Sequence, residues 1–279
     1  MKLLTLNTHS LAEPDYEKKL HLFVDIIKKE HPHIFALQEV NQTKSESEVT
    51  ADSSTGYKPC RGFHGSIRKD NHALRVAALL SESGCPYQWT WVPAKLGYGI
   101  YEEGLAVFSC WPIEETEQFF ISKSQSFDNW KTRKIVGIQA KNQWFYSVHM
   151  GWWADEEEPF VRHWDEAAAR LKKHRDEGRT VWVMGDFNSP CRREGEGYDY
   201  IKQSGWHDTY ELAETKDSGI TVGKAIDGWR ESKDDGAGMR IDYIWCSRNI
   251  KVCKSEVICN DVNYPVVSDH YGVMAEVPE

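Results

Sequence analysis

The sequence predicts an α/β protein, and three observations predict it. Apolar runs rich in Val, Ile, Leu and aromatic residues recur along the chain, at residues 3–6, 34–37, 144–148 and 181–184. Between them lie segments with helical spacing, at residues 16–30 and 159–177. Several of the apolar runs also end abruptly in a polar side chain: Asn7, Glu39, His149 and Asp186. Short continuous apolar runs bounded by turn signals read as buried strands, and 3.6-residue spacing reads as helix. Their alternation is that of βαβ units.

Taken in order, residues 3–7 form a strand that ends at Asn7. A helix over 16–30 follows, with Leu20, Phe23, Val24 and Ile27 on one face and His31-Pro32 as its stop. Ile34 to Leu37 is again a buried strand, with Gln38-Glu39 at its end, so Glu39 is expected beside Asn7 on the edge of adjacent strands. Residues 41–59, rich in Ser, Thr and Glu, read as a surface loop. A helix over 71–83 buries Leu74, Ala77, Ala78 and Leu80 and stops at Gly84.

Strands follow at 87–92, 105–108, 135–140 and 144–150. The last two form a hairpin turned at Asn142, and Gly97-Tyr98-Gly99 is an aromatic loop before them. The acidic run 155–158 reads as the N-terminal end of the helix at 159–177, where negative charge suits the dipole. Val181 to Met184 then breaks at Gly185, leaving Asp186 and Asn188 at the carboxyl end of a central strand. Residues 191–240 are polar and Gly-rich, with short elements and a long insertion. Residues 240–245 alternate as a strand, and Asp269-His270 precedes a last one. No linker divides the chain, and 1–279 is expected to be one domain.

Composition excludes several classes. The 279 residues are 40% hydrophobic and 28% charged, enough for a large core. The formal net charge of −9 argues against a nucleic-acid or membrane partner, because phosphate binding usually leaves a basic footprint. Seven cysteines, with no C-x-x-C and no zinc-type spacing, read as free thiols in a reducing compartment. No stretch reaches the roughly 18 apolar residues of a membrane span, and the first strand is too short for a secretion signal. A cytoplasmic location is expected. Of the twelve tryptophans most suit a core, but Trp152-Trp153 stands between a Gly and four acidic residues, where a packing role is not the default.

The polar residues at strand ends then read Asn7, Glu39, His149, Asp186, Asn188, Asp242, Asp269 and His270. Each has a bland reading alone, since Asp and Asn after a strand are common turn formers. Together they offer carboxylates for a hard cation and a His-carboxylate pair for proton transfer. The segments Leu6-Asn7, Leu37-Gln38-Glu39-Val40, Val148-His149, Gly185-Asp186-Phe187-Asn188, Arg240-Ile241-Asp242-Tyr243 and Ser268-Asp269-His270 resemble, in order, the motifs of the endonuclease/exonuclease/phosphatase family.

The resemblance implies a four-layered α/β sandwich, two mixed sheets face to face with helices outside, and a divalent-metal-dependent phosphoric ester hydrolase. It implies that Glu39, with Asn7 nearby, binds Mg²⁺ or Mn²⁺. His270, held by Asp269 or a neighbouring carboxylate, would take a proton from the attacking water that Asp186 orients. Asn188 and His149 would hydrogen-bond the phosphoryl group, and Asp242 would orient a histidine or complete the metal's outer shell. Arg133, in Lys131-Thr132-Arg133-Lys134, matches a looser position as a phosphate clamp.

The resemblance leaves the substrate open between a nuclease, a sphingomyelinase-like diesterase and a small-molecule phosphomonoesterase. No basic run is longer than Lys131 to Lys134 or Arg170 to Arg175, and Trp152-Trp153 is followed by four acidic residues, a poor match to an anionic bilayer surface. Thr8-His9-Ser10 and the run from Val148 to Trp153 resemble the bacterial maltose 6'-phosphate phosphatases of the family. That favours a small-molecule sugar phosphate, with Trp152 and Trp153 against the sugar. A non-catalytic binding module would be expected to lack a ligand or the base, and the set is complete.

Overall fold

The structure, a computed structural model, describes residues 1–50, 55–224, 226, 229 and 238–278. Part of the insertion expected within 191–240, and residues 51–54 of the expected loop, lie outside them. The first half runs β1 (Lys2–Asn7), α1 (Tyr16–Glu30), β2 (Ile34–Thr43), β3 (Glu48–Val49), β4 (Ile67–Arg68), α2 (His72–Glu82), β5 (Gln88–Gly97) and β6 (Tyr101–Ser109). The second runs β7 (Glu115–Phe120), β8 (Lys134–Ala140), β9 (Gln143–His149), α3 (Phe160–Asp176), β10 (Thr180–Asp186), α4 (Gly197–Gln203), β11 (His207–Asp208), α5 (Thr209–Leu212) and β12 (Ala213–Lys216). It closes with β13 (Asp242–Cys246), β14 (Val252–Ile258) and β15 (Gly272–Glu276).

Two mixed sheets carry the fold. One has the order β12-β14-β15-β1-β2-β6-β5 and the other β11-β13-β10-β9-β8-β7. They pack face to face through Ala36, Val107, Ile138, Phe145, Trp182 and Ile244. Leu4, Leu6, Phe35 and Leu37 point the other way, against Leu20, Phe23 and Ile27 of α1. Val181 and Val183 likewise meet Phe160, Trp164 and Leu171 of α3. Alternate residues of the central strands therefore enter different cores. Strands covered on both faces have no polar side, which is why these runs read as continuously apolar. The four layers are those expected.

Most elements fall where the sequence puts them. β8 and β9 pair as a hairpin, with Lys141 and Asn142 at φ 50° and 59° in its two-residue turn. The corrections are local. Ala78 faces solvent, and Val76 takes the buried place instead. The loop expected from residue 41 begins later, because Asn41 and Gln42 are buried and continue β2. The acidic run does not open α3, whose first turn has no acidic residue. Asp155 instead pairs with Lys131 at 2.9 Å. Glu158 accepts backbone hydrogen bonds from Lys123 and Ser124, so the run fastens the 121–133 segment to the molecule.

Topology sets the position of the polar residues. β1 and β2 are parallel, as are β9 and β10, so Asn7, Glu39, His149 and Asp186 end at one edge of the sandwich. β13 and β15 run antiparallel to β10 and β1. Residues that start those strands, Asp242 and the preceding His270, therefore reach the same edge; Asp242 sits directly opposite Asp186.

Candidate active site

Two backbone irregularities aim the side chains. Between Leu37 and Val40 the β2–β6 register slips by one residue. Glu39 occupies this bulge at φ 50°, a left-handed conformation that costs a non-glycine residue energy and turns its side chain out of the strand alternation. At Gly185, φ 148°, a Cβ would lie 2.0 Å from the Val148 carbonyl oxygen. Only glycine lets β9 and β10 approach closely enough here to bring His149 beside Asp186.

The residues meet in one cleft of about 380 Å³, lined among others by Glu39, Arg133, His149, Trp152, Asp186 and His270. Asn7 Nδ2 donates to Glu39 Oε1 at 2.9 Å and to Asp186 Oδ2 at 3.1 Å. The Asn7 amide thus bridges carboxylates from the two sheets, while its Oδ1 accepts from the His9 backbone N–H at 3.2 Å. Holding a cation through that carbonyl would require the amide to turn over. Asn188 is also engaged: Nδ2 donates to the Met150 carbonyl at 3.0 Å, and Oδ1 accepts from Trp229 Nε1 at 2.9 Å. One N–H of its amide is left for a ligand.

His270 is held by Asp242, not by its sequence neighbour Asp269. Its Nδ1 lies 3.0 Å from Asp242 Oδ2, and its Nε2 faces Asp186 Oδ2 at 3.8 Å. Asp269 sits instead with His9 and Glu13, whose side chains are bonded at 2.8 Å. Burial alone would strip the proton from His270, but the Asp242 and Asp186 charges outweigh it and raise the imidazole to about 10. Burial and the Asp242 charge push Asp186 up to about 7, against the pull of His270. His149 goes the other way. Burial, reinforced by Arg133 and Lys95, holds it well below its ordinary value, so it is neutral. Its Nε2 lies 3.6 Å from Asp186 and its Nδ1 3.8 Å from Glu103.

Of the two adjacent tryptophans, only Trp152 lines the cleft, with Arg133 5.9 Å from its ring and Trp130 tilted against it. Trp153 is turned away and packs on Phe160 and Tyr200 beside α3 and α4. The sequence places both rings against the sugar, but the chain turns at Trp153 and Ala154 and the two rings part. The structure also brings in residues that the sequence reading missed: Lys95, Glu103 and Tyr98 line the cleft. The only signal for them was the aromatic glycine loop around Tyr98, which β5 and β6 carry to this edge.

A sequence model of the Endonuclease/Exonuclease/phosphatase family matches residues 4–270, and the chain belongs to that family. Members are hydrolases acting on phosphoester bonds and use divalent metals. The chain is similar over its whole length to an endonuclease/exonuclease/phosphatase family protein from Leptotrichia buccalis C-1013-b, with 30% identity, a TM-score of 0.84 and 100% of each chain covered. A mannosyl-6-phosphatase from Bacteroides thetaiotaomicron VPI-5482 has 15% identity and a TM-score of 0.66, again with 100% of each chain covered. A 3' phosphatase from Neisseria, bound to product DNA hairpin, has 18% identity and a TM-score of 0.61 over 100% of both chains. These last two share the fold. No curated protein matches the sequence significantly.

The donor set fits a hard divalent cation. Among the described residues the half-buried Glu39 carboxylate accepts one hydrogen bond, from Asn7. Burial and the nearby Glu103 charge raise its pKa, the sign of a carboxylate short of positive partners. Carboxylate oxygens are what such ions prefer. No helix among the described residues is long and apolar enough to cross a membrane.

Proposed function

We propose that this chain is a divalent-metal-dependent phosphomonoesterase that releases phosphate from a sugar phosphate such as maltose 6'-phosphate. The observation that carries the reading is Trp152. Its ring lines the same cleft as Asp186 and His270, and its enclosed Nε1 has no acceptor among the described residues. An indole beside a phosphate-binding corner offers a face for sugar C–H groups. The cleft volume of about 380 Å³ lies within the range of small-molecule sites. A mannosyl-6-phosphatase with this fold is compatible with a sugar ester.

In this reading Glu39, with Asn7, holds Mg²⁺ or Mn²⁺. When bound, the cation supplies charge neutralisation at a phosphoryl oxygen and offsets the carboxylate field that otherwise keeps His270 protonated. Asp242 fixes the His270 tautomer so that Nε2 faces the cleft. Asp186 orients the attacking water and His270 takes its proton. Neutral His149 donates a hydrogen bond to the phosphoryl group, as does the remaining N–H of Asn188, and Arg133 meets its charge. We read residues 1–279 as one domain, because the site draws on both sheets from Asn7 to His270, and we place it in the cytoplasm on its seven free cysteines.

The test is phosphate release from maltose 6'-phosphate, mannose 6-phosphate, nucleotides, inositol phosphates and 3'-phosphorylated DNA with Mg²⁺ present. The sugar esters should be turned over fastest; a preference for the DNA end would sink the substrate assignment. EDTA should abolish activity and Mg²⁺ or Mn²⁺ should restore it, whereas full turnover in chelated protein would refute the metal's role. Glu39→Gln should weaken Mg²⁺ binding, read by calorimetry, with the far-UV spectrum unchanged.

A further inference from the structure

We propose that Lys95 and Arg133 form a pair of buried cations that selects phosphate monoesters over diesters, a specificity device that rests on the phosphoesterase reading above. The two come from different sheets. Lys95 lies on β5 where its pairing with β6 shifts register, and Arg133 immediately precedes β8. The Leu96 N–H donates to the Phe127 carbonyl at 2.7 Å and ties the two segments together. Both side chains line the cleft beside His149 and Asp186, yet Lys95 is only 8% exposed and Arg133 only 3%.

Among the described residues Lys95 has an anionic partner and Arg133 has none. Lys95 Nζ pairs with Glu103 at 3.1 Å. The Arg133 guanidinium donates from Nη1 to the Trp130 and Thr132 carbonyls at 2.9 and 3.2 Å. Its Nε is enclosed without an acceptor, and among the described residues no carboxylate lies within ion-pair distance of it. A purely structural Lys95–Glu103 bridge would not need a second, unpaired cation beside it. The mutual repulsion shows in Lys95, whose pKa is lowered by burial and by Arg133. Buried charge of this kind calls for an anion from outside.

The chemistry of the two ester classes supplies the discrimination. A phosphate monoester carries about −1.5 to −2 charge near neutral pH and three non-bridging oxygens. A diester carries a single negative charge, two such oxygens and a second carbon substituent. Two cations on one wall match the monoester's third oxygen and second charge. A diester would place carbon against them and leave Arg133 unpaired, which is a penalty as well as a lost attraction.

The experiment compares kcat/KM for p-nitrophenyl phosphate and bis(p-nitrophenyl) phosphate in the full chain with Mg²⁺, for wild type, Lys95→Met, Arg133→Met and Lys95→Arg. Binding of inorganic phosphate is measured by calorimetry alongside. The two Met variants should lose at least 100-fold on the monoester and at least tenfold less than that on the diester, with phosphate binding weakened at least tenfold. Lys95→Arg should recover most of the monoester rate. Equal losses on both esters in a monoester-preferring enzyme would overturn this inference alone. A wild type that prefers the diester would overturn the phosphomonoesterase reading and this inference with it. If Lys95→Met fails to fold, the charge-balanced double variant Lys95→Gln with Glu103→Gln decides: loss of monoester preference supports the pair, and wild-type preference refutes it.

Discussion

The two walls of the cleft each carry a histidine, and the two histidines hold opposite proton states. On one wall His270 stands between Asp242 at 3.0 Å and Asp186 at 3.8 Å and is raised to about 10. On the other, His149 also has the Asp186 and Glu103 carboxylates 3.6 and 3.8 Å away but makes no hydrogen bond to either, and burial together with the Arg133 and Lys95 charges lowers it. Burial acts on both in the same direction, against the imidazolium. A carboxylate hydrogen-bonded to His270, against the Arg133 and Lys95 charges near His149, decides the outcome. One fold edge thus sets a proton-holding group opposite a neutral hydrogen-bond donor, a division of labour suited to moving a proton while a phosphoryl group is held.

The comparison breaks most severely at the anionic wall. His270→Ala and Asp186→Ala should each lower kcat by about 10²- to 10⁴-fold with the protein still folded, the usual range for acid–base groups. A near-normal kcat in either would remove that residue from the proton path. The next effect is on stability in chelated protein. A group whose folded pKa is raised stabilises fully below its unfolded value, near 6.5, and loses that stabilisation as pH rises through about 10. Asp186, raised only to about 7, cannot give this alkaline slope, and Asp242→Asn, which removes the charged partner of His270, should flatten it. The wild-type melting temperature should fall by roughly 3–6 °C across the window, and the variant's by less. His149 works in reverse. Its neutral folded form costs stability as pH drops below 6.5, and His149→Gln should relieve part of the acid slope.

The cationic wall is sharpened by the adjacent tryptophans. Trp152→Ala should cut kcat/KM on maltose 6'-phosphate by about tenfold, which is about 1.4 kcal/mol, and leave p-nitrophenyl phosphate within twofold. Trp153→Ala should do the converse, leaving both rates unchanged while lowering stability by about 1–2 kcal/mol for a half-buried ring. Equal losses on both esters for Trp152→Ala would mean that its ring is only packing.

The frame and most of this edge could be read from the chain because one physical pattern carries both. An apolar run that stops at a polar residue marks a strand and its functional end together, as at Asn7, His149 and Asp186. What could not be read depends on sheet pairing or side-chain direction. Asp242 reaches His270 from the opposite sheet, whereas Asp269, next to it in sequence, points to His9 and Glu13. Lys95 and Glu103 look like ordinary solvated charges until β5 and β6 fold against the second sheet. Trp229 bonds Asn188 from 41 residues away, which no local spacing signals.

The left-handed bulge at Glu39 has an evolutionary consequence. Holding a non-glycine residue there costs on the order of 1 kcal/mol or more, and the half-buried carboxylate adds to it. Glu39→Gly would relieve both and should melt at a higher temperature in chelated protein, yet it would lack the proposed cation ligand. Heat tolerance and turnover therefore have opposite optima at this position. A lineage adapting to warmth has to find its added stability elsewhere in the chain, and a library selected for survival on heating alone would drift towards inert protein.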